Sequence, residues 1–355
     1  MTPTSPWTND RLDVSRVRQL TTGSGVTVGV VDTGVDASVP QLAGHVLPGV
    51  DVVNGAGSAN TDCFGHGTFV AGIIAAAPRA GTGVVGLAPG VTILPIRQAN
   101  SSSDGTAQGL AKSIRAAVDG GAKVVNISAS AFFPSEELRA AVDYATSRDV
   151  LLVASASNEA KSGSPTAYPA AYPPVIAVGA VGRDGRRTEF SEVATFLDLV
   201  APGADIISLS RAGQGHLSDS GTSFATPFVT AAAALVRAYH PELTAAQVKR
   251  RLEVTADHPG TSLPSPQVGW GVVNPYNAVT AILPEEAGKS ASPGTLGGIG
   301  PLRDDPPDNR GRDTAAVFAS VAGGLGVVVG LAAFLLPRAT RRRWRPASTA
   351  AGSGR

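Results

Sequence analysis

Short runs of apolar, mostly β-branched residues alternate along this chain with longer segments in which apolar residues recur every three or four positions. The short runs are typical of buried strands, and the longer segments are typical of helices that bury one face. Their alternation favours βαβ units, so we predict an α/β fold with a doubly wound, mainly parallel sheet and helices on both faces. The predicted strands are 26–31, 91–96, 124–127, 150–154 and 175–178, and the predicted helices are 67–77, 106–118, 136–148, 222–239 and 244–254.

A different apolar segment lies near the C-terminus. Residues 315–336 carry no charge, and as a helix they are about 33 Å long, enough to cross a hydrocarbon core of about 30 Å. The positive-inside rule predicts one transmembrane helix with its C-terminal end in the cytoplasm and residues 1–314 outside. A buried core helix is disfavoured, because a Pro- and Gly-rich segment at 284–313 separates the run from the α/β pattern. The basic residues behind this rule are Arg338, Arg341, Arg342, Arg343 and Arg345.

These patterns divide the chain into five segments. An N-terminal arm at 1–22 precedes one α/β domain at 23–283, and a linker at 284–313 leads to the transmembrane helix at 314–337 and an Arg-rich cytoplasmic tail at 338–355. We therefore expect a single-pass protein of the cell membrane with its α/β domain outside the cell.

Composition narrows the classes of function. The 355 residues carry a net charge of +1, which gives no global field to attract nucleic acid. The single cysteine, Cys63, excludes an internal disulfide. No signal-peptide pattern is visible, and the 25 residues before the first predicted strand are too few for a folded inhibitory pro-domain. No acidic cluster has calcium-loop spacing, so we expect no metal site and no cofactor.

Three polar residues stand in glycine-containing segments. Asp32 follows the first predicted strand in VVDTG, His66 lies in GHGT, and Ser223 lies in SGTSFATP near the start of a predicted helix. A serine hydroxyl is a weak nucleophile that needs a base, so these residues fit a triad. Ser223 would attack, His66 would carry the proton and Asp32 would hold the imidazole. The chain order Asp, His, Ser differs from that of chymotrypsin and of the α/β-hydrolases.

Each of these residues also has an ordinary structural interpretation. Ser223 fits a helix N-cap, Asp32 fits an Asx-turn, and His66 fits a structural or metal-binding histidine. Taken alone, the Gly-Thr-Ser segment favours the N-cap. Three such segments in one order, with no second histidine at metal-ligand spacing, favour the triad.

The three segments resemble those of the subtilisin-like serine proteases, the subtilase family, over about residues 20–280. The resemblance implies the subtilisin fold, peptide hydrolysis through an acyl-enzyme, and an oxyanion-binding asparagine at Asn158. It also implies that an extended peptide adds as a strand beside the segment after the third predicted strand, opposite 97–101. Two of the implied residues, Ser130 and Ser157, stand where many subtilases have glycine, which leaves the substrate preference open. The implied substrate-binding residues are Ser128, Ala129, Ser130, Ala156 and Ser157.

A narrower resemblance is to the mycosins, the membrane-anchored subtilases of type VII secretion systems. It is carried by segments 62–75, 86–90 and 94–97 and by the order of linker, apolar run and arginine tail. Mycosins carry a signal peptide and tend to pair their cysteines, and this chain departs from both. The expected protein is a membrane-anchored serine endopeptidase whose partners are a polypeptide substrate and a type VII secretion complex, without nucleic acid.

The sequence also bears on three alternative functions. A structural subunit of a secretion complex, with dispensable catalysis, is not excluded by any residue. A degenerate pseudoprotease is disfavoured because Asp32, His66, Ser223 and Asn158 are all present. A related family that uses Glu and Asp in place of the histidine is disfavoured by the GHG sequence at 65–67.

Overall fold

The central sheet of this protein has seven strands, and every neighbouring pair runs parallel. The computed structural model describes residues 5–286 apart from 102–104, 214 and 261. The strands are β1 (Thr27–Asp32), β2 (Val50–Asp51), β3 (Thr92–Arg97), β4 (Val124–Ile127), β5 (Leu151–Ser155), β6 (Ile176–Val181) and β7 (Leu199–Pro202). Their spatial order is β2-β3-β1-β4-β5-β6-β7. The order of the chain reverses at β1, which has β3 on one side and β4 on the other.

Helices cover both faces of this sheet. The described helices are α1 (Trp7–Arg11), α2 (Val14–Leu20), α3 (His66–Ala75), α4 (Ala107–Asp119), α5 (Glu136–Ser147), α6 (Thr222–Tyr239), α7 (Ala245–Val254) and α8 (Pro275–Thr280). One core lies between the sheet and α4 with α5, and the other lies between the sheet and α3 with α6. A short antiparallel hairpin of β8 (Ile206–Leu209) and β9 (His216–Asp219) follows the sheet.

Strand β5 shows why the sheet is apolar on both sides. Leu151 and Val153 belong to the core under α6, whereas Leu152 and Ala154 belong to the core under α4 and α5. Successive side chains of a strand point to opposite faces, so a strand covered twice must be apolar throughout. This explains the continuous apolar runs in the sequence and confirms the doubly wound, parallel α/β fold predicted from them.

Each predicted strand and helix corresponds to an observed one, with ends displaced by no more than three residues. The elements missed were short or polar. β2 has two residues, β7 ends in a proline, and three of the four residues of β9 are exposed. The segment predicted as an N-terminal arm contains α1 and α2, and Val14 and Val17 of α2 are buried in the main core.

No helix in the described part of the chain combines the length and the apolar character needed to cross a bilayer. The predicted transmembrane run at 315–336, the tail, and the linker beyond residue 286 lie outside the described residues.

Candidate active site

The candidate residues lie together at one edge of the sheet. They are placed there by the carboxyl ends of β1, β4 and β5 and by the first turns of α3 and α6. Asp32 is the last residue of β1, His66 is the first of α3, and Ser223 lies in the first turn of α6. Ser128 follows β4, and Asn158 follows β5. Ligand sites of parallel sheets lie at such edges, beside the strand where the chain order reverses.

His66 and Asp32 form a close polar pair. Nδ1 of His66 lies 2.8 Å from Oδ1 and 2.9 Å from Oδ2 of Asp32. Asp32 is 3% exposed, and its Oδ1 also accepts the backbone N–H of Thr33 at 2.8 Å. Because a carboxylate only accepts, Nδ1 carries the proton and Nε2 of the neutral ring remains an acceptor. The imidazole is therefore in the tautomer that a general base needs.

Three carboxylates act on the protonation of His66. Burial lowers the pKa of His66, but the charge of Asp32 and its hydrogen bond raise it, and the charges of Asp62 and Asp219 raise it further. The net effect is a pKa above the ordinary value of 6.5. Asp219 is the exposed member of this group, at the end of β9, and sequence reasoning missed it.

Asp62 ties the loop after β1 to the start of α3. Its Oδ1 accepts the hydroxyl of Thr33 at 3.0 Å and the N–H of Gly65 at 2.8 Å. Its Oδ2 accepts the N–H and the hydroxyl of Thr68 at 2.9 and 2.7 Å. This buried carboxylate caps the N–H groups at the helix start and so fixes His66. Sequence reasoning also missed this role, although an acidic residue just before a helix is a capping signal.

Two glycines let the loop after β1 approach α3. A methyl group on Gly67 would collide with the carbonyl oxygen of Gly34, and one on Gly34 would collide with the carbonyl oxygen of Thr61. Gly34 has a φ of 103°, which residues with a side chain rarely adopt. The contact between Asp32 and His66 therefore depends on glycine at both positions.

Asn158 is oriented by the residue that precedes Ser223. Its Oδ1 accepts the N–H of Thr222 at 2.8 Å and the Thr222 hydroxyl at 3.0 Å. Because a backbone N–H needs an acceptor, these bonds fix which end of the amide is oxygen. The Nδ2 donor lies 3.5 Å from the position a Cβ would take on Gly221. It makes no hydrogen bond to any other described residue, and it is therefore available to a ligand beside Ser223.

Ser223 is joined to Ser128 by two hydrogen bonds. Oγ of Ser223 donates to the carbonyl oxygen of Ser128 at 3.4 Å, and Oγ of Ser128 donates to the carbonyl oxygen of Ser223 at 3.0 Å. The second bond forms because Pro227, four residues on, has no N–H for that carbonyl.

Ser223 and His66 make no mutual hydrogen bond in the described part of the structure. They are linked through Phe224, whose ring centroid lies 5.1 Å from that of His66. The bond that holds the Ser223 hydroxyl is long, at 3.4 Å, and catalytic hydrogen bonds are often loose until substrate binds.

The residues predicted to bind substrate lie in two neighbouring segments. Residues 128–130 are half-buried, and Oγ of Ser130 donates to the carbonyl oxygen of Ser155 at 3.4 Å. Ala156 is fully buried, with its N–H bonded to a carbonyl of β6 at 2.9 Å. Ser157 is 5% exposed and has a φ of 93°. The structure thus brings the two segments together at the edge that carries Ser223.

A cleft of about 340 Å³ opens beside His66. Its mouth carries two apolar side chains, Phe64 and Leu217, which are 49% and 55% exposed. Two charged side chains, Arg211 and Asp219, lie on the same rim. Sequence reasoning assigned nothing to this cleft, because half of its lining residues come from the unpredicted hairpin, from β9 and from the loop between β8 and β9. The lining residues are Phe64, Gly65, His66, Phe69, Ser210, Arg211, Leu217, Ser218, Asp219 and Phe224.

The residues that the structure describes include no candidate metal-binding site. No three His, Cys, Asp or Glu side chains are grouped there as a metal site requires. The single cysteine, Cys63, is exposed and unpaired with another cysteine.

Comparison with known proteins agrees with this geometry. The pattern of the peptidase S8, subtilase family, matches residues 23–271. The chain belongs to the subtilase family. Subtilisin DY of Bacillus licheniformis is 41% identical to it over 254 residues, which cover 71% of this chain and 90% of that protein. This subtilase is therefore a serine endopeptidase, a hydrolase, as the resemblance in the sequence implied.

Mycosins match over nearly the whole chain. Mycosin-1 of Mycolicibacterium smegmatis is 33% identical over 392 aligned positions, covering 95% of this chain and 85% of that protein. Mycosin-1 of Mycobacterium tuberculosis is 34% identical, covering 95% and 86%. The crystal structure of MycP1 with its N-terminal propeptide removed has a TM-score of 0.72 at 34% identity, covering 79% of this chain and 99% of that one. The predicted resemblance to mycosins is confirmed.

Proposed function

We propose that this subtilase is a membrane-anchored endopeptidase that cleaves a polypeptide through Asp32, His66 and Ser223 in association with a type VII secretion system. The observation that carries the catalytic part is the contact of His66 Nδ1 with both carboxylate oxygens of Asp32, at 2.8 and 2.9 Å. This contact places the proton on Nδ1 and leaves Nε2 basic, and the His66 ring lies 5.1 Å from that of Phe224 in the first turn of α6. A serine nucleophile needs a base in this form.

In the proposed mechanism, Oγ of Ser223 attacks the carbonyl carbon of the scissile peptide and its proton passes to Nε2 of His66. Asp32 stabilises the imidazolium, which then gives the proton to the leaving amine as the C–N bond breaks. Water adds to the acyl carbon with His66 again as base, and Ser223 recovers its proton when the acid leaves. The negative charge that develops on the carbonyl oxygen is stabilised by hydrogen bonds from two donors, Nδ2 of Asn158 and the backbone N–H of Ser223 at the positive end of α6.

The cleft beside His66 is the proposed site for the leaving segment of the substrate. His66 protonates the leaving amine, so that segment passes over its ring. The cleft includes His66 but none of residues 128–130 or 156–158, which we assign to the acyl segment. The exposed rings and methyl groups of Phe64 and Leu217 favour an apolar side chain just after the scissile bond. Addition of a strand beside 128–130 would hold the residues before that bond.

Association with a membrane and a secretion system has separate support. Two of the similar structures are described as MycP1 from the ESX-1 type VII secretion system, at 32% identity and a TM-score of 0.72, and MycP3 protease from the type VII (ESX-3) secretion system, at 32% and 0.69. The uncharged run at 315–336 and the arginines after it support a membrane anchor. A structural subunit with dispensable catalysis is the alternative function.

A fluorophosphonate probe on membranes tests the catalytic part. The wild-type chain should be labelled, and Ser223→Ala should not. Ser220→Ala is the matched control, since Ser220 is an exposed serine three residues away and should leave labelling unchanged. Equal labelling of Ser223→Ala and wild type would remove Ser223 from the mechanism.

Complementation of a deletion strain separates the two functions. If secretion depends on proteolysis, Ser223→Ala should not restore it. Restoration by Ser223→Ala, at wild-type protein level, would favour the structural subunit instead.

A further inference from the structure

Arg211 places a positive charge on the rim of the cleft beside His66. The residue is exposed, and its guanidinium forms no hydrogen bond or ion pair with any other residue that the structure describes. The stem of its side chain lies against Gly65, because a Cβ added to Gly65 would be 3.3 Å from Cδ and 3.9 Å from Nε of Arg211. Gly65 directly precedes His66, so the charge is held near the proposed base, where a ligand in the cleft can reach it.

The turn that carries Arg211 is fixed from below by Asp36. Oδ2 of Asp36 accepts the N–H of Ala212 at 2.7 Å. Oδ1 accepts the N–H and the hydroxyl of Ser38 at 2.9 and 2.6 Å. Both carboxylate oxygens are occupied in this way, so Asp36 holds the turn without forming an ion pair with Arg211. A charge presented from a fixed backbone loses less conformational freedom when it binds a ligand.

Asp219 carries the negative charge on the same rim. It lies at the end of β9, and its charge acts on His66. In the proposed mechanism His66 protonates the leaving amine, so the residue directly after the scissile bond passes close to Asp219. A carboxylate on that residue would be repelled, because like charges raise each other's energy. A carboxylate that pairs with Arg211 therefore comes from further along the leaving segment.

We propose that Arg211 binds a carboxylate on the second or third residue after the scissile bond, and so selects substrates with an acidic side chain there. This inference rests on the proposed cleavage of polypeptides by Ser223. A guanidinium matches a carboxylate through two parallel hydrogen bonds. With the apolar side chain already assigned to Phe64 and Leu217, the leaving segment would be apolar first and acidic next.

The test measures kcat/KM of the full-length chain in detergent on variants of one peptide whose cleaved bond has been mapped by mass spectrometry. Both ends of the peptide are blocked. Glutamate is compared with glutamine at the first, second and third positions after that bond. The wild type should prefer glutamate roughly fivefold at the second or third position, and should show no such preference at the first. The preference should shrink in high salt, because Arg211 is exposed.

Two variants and a control assign the preference to Arg211. Arg211→Gln should bring the ratio of the glutamate and glutamine peptides close to one, and Arg211→Glu should make lysine better than glutamate at the same position. Arg186→Gln removes the same charge from an exposed residue outside the lining of the cleft and should keep the wild-type ratio. An equal loss of preference in Arg186→Gln would contradict the proposal.

The free C-terminus of a short leaving segment offers the same carboxylate chemistry. A peptide that ends two residues after the bond is therefore compared as free acid and as amide. A preference for the free acid, with none for glutamate in the blocked peptides, would contradict the assignment to an acidic side chain.

A binding measurement separates this inference from the proposed catalysis. The Ser223→Ala chain is titrated by calorimetry with blocked peptides of the leaving segment that carry either glutamate or glutamine. The glutamate peptide should bind roughly fivefold more tightly, and adding Arg211→Gln should remove the difference. Equal affinities in the Arg211 chain would overturn the inference even if Ser223 is the nucleophile. A difference in binding, with no peptide cleaved by the wild type, would overturn the proposed catalysis and keep the carboxylate site.

Discussion

At the scale of single residues, the proposed role of His66 as the base predicts that its pKa sets the acidic limit of activity. His66 acts as a base only when neutral, so activity is lost as the pH falls through its pKa, and a raised pKa moves that loss to higher pH. Asp219→Asn removes one of the charges that raise this pKa. We expect the acidic limb of kcat/KM against pH to move to lower pH, and to move less at high salt, because Asp219 is exposed.

Asp205→Asn is the matched control for this shift. It removes the same charge from an exposed residue just before β8, outside the group of carboxylates that raises the pKa of His66. Asp205 has a φ of 51°, which asparagine also tolerates. An equal displacement of both profiles would mean that net charge, rather than the position of Asp219, is responsible.

Asn158 and Thr222 are expected to act together on the transition state. Asn158→Ala should lower kcat by about 10²–10³-fold with little change in KM, as loss of this donor does in subtilisin. Thr222→Val keeps the shape of the buried side chain but removes one of the two bonds to Asn158 Oδ1, so kcat should fall less. Steady-state kinetics on one peptide checks both. A change confined to KM would assign Asn158 to substrate binding.

Ser157 holds a backbone conformation that suits glycine. Its φ of 93° costs roughly 1–3 kcal/mol for a residue with a side chain. Its Oγ accepts the N–H of Glu159 at 3.2 Å, a bond that contributes about 1 kcal/mol. Ser157→Gly should therefore stabilise the protein by about 1 kcal/mol and raise Tm by roughly 2–4 °C. Ser162→Gly, in a short helical turn of the same loop, should lower Tm; a fall in both would refute the strain argument.

The sequence predicts the roles of some single residues in the site but not of others. Asp32 and His66 are recognisable because each stands in a short motif, and in the structure their side chains are 2.8 Å apart. Asp62 and Asp219 act on His66 from positions whose importance arises only when separate segments pack together. Long-range contacts of this kind leave no local pattern, so sequence reasoning missed them.

At the scale of elements, the placement of α3 depends on its cap. Asp62→Ala would leave four donors on Thr33, Gly65 and Thr68 without their buried acceptor. We expect a loss of about 3 kcal/mol or more in the free energy of unfolding, together with loss of peptide hydrolysis. Denaturant unfolding measures the first, and Asp143→Ala, on the exposed side of α5, is the control. Equal stability of the two variants would show that α3 does not need this cap.

The elements that sequence reasoning found are those with a strong period. α4 alternates buried and exposed residues every three to four positions, and β5 is apolar throughout. The hairpin of β8 and β9 has neither signal, since residues 216–219 are mostly polar and exposed. The register of β9 is set by its pairing with β8, and the pattern of apolar and polar residues alone does not reveal that pairing. The cleft beside His66 escaped prediction for the same reason.

At the scale of the whole molecule, the parallel sheet was predictable because alternating strands and helices favour βαβ units, whose strands run parallel. The similarity to Mycosin-1 spans 95% of the chain and so extends past the α/β domain. The apolar run at 315–336 lies outside the described residues, and its role rests on length and flanking charge.

The proposed orientation of the chain across a membrane rests on the five arginines after this run. Each resists transfer across a bilayer, so the segment from 338 onward should stay in the cytoplasm and the α/β domain should lie outside. Protease added to intact cells should digest residues 1–313 and spare a tag fused after Arg355. After detergent lysis the same tag should be digested, which shows that it is cleavable. A tag lost from intact cells while the α/β domain survives would reverse the orientation and overturn the charge argument for this chain.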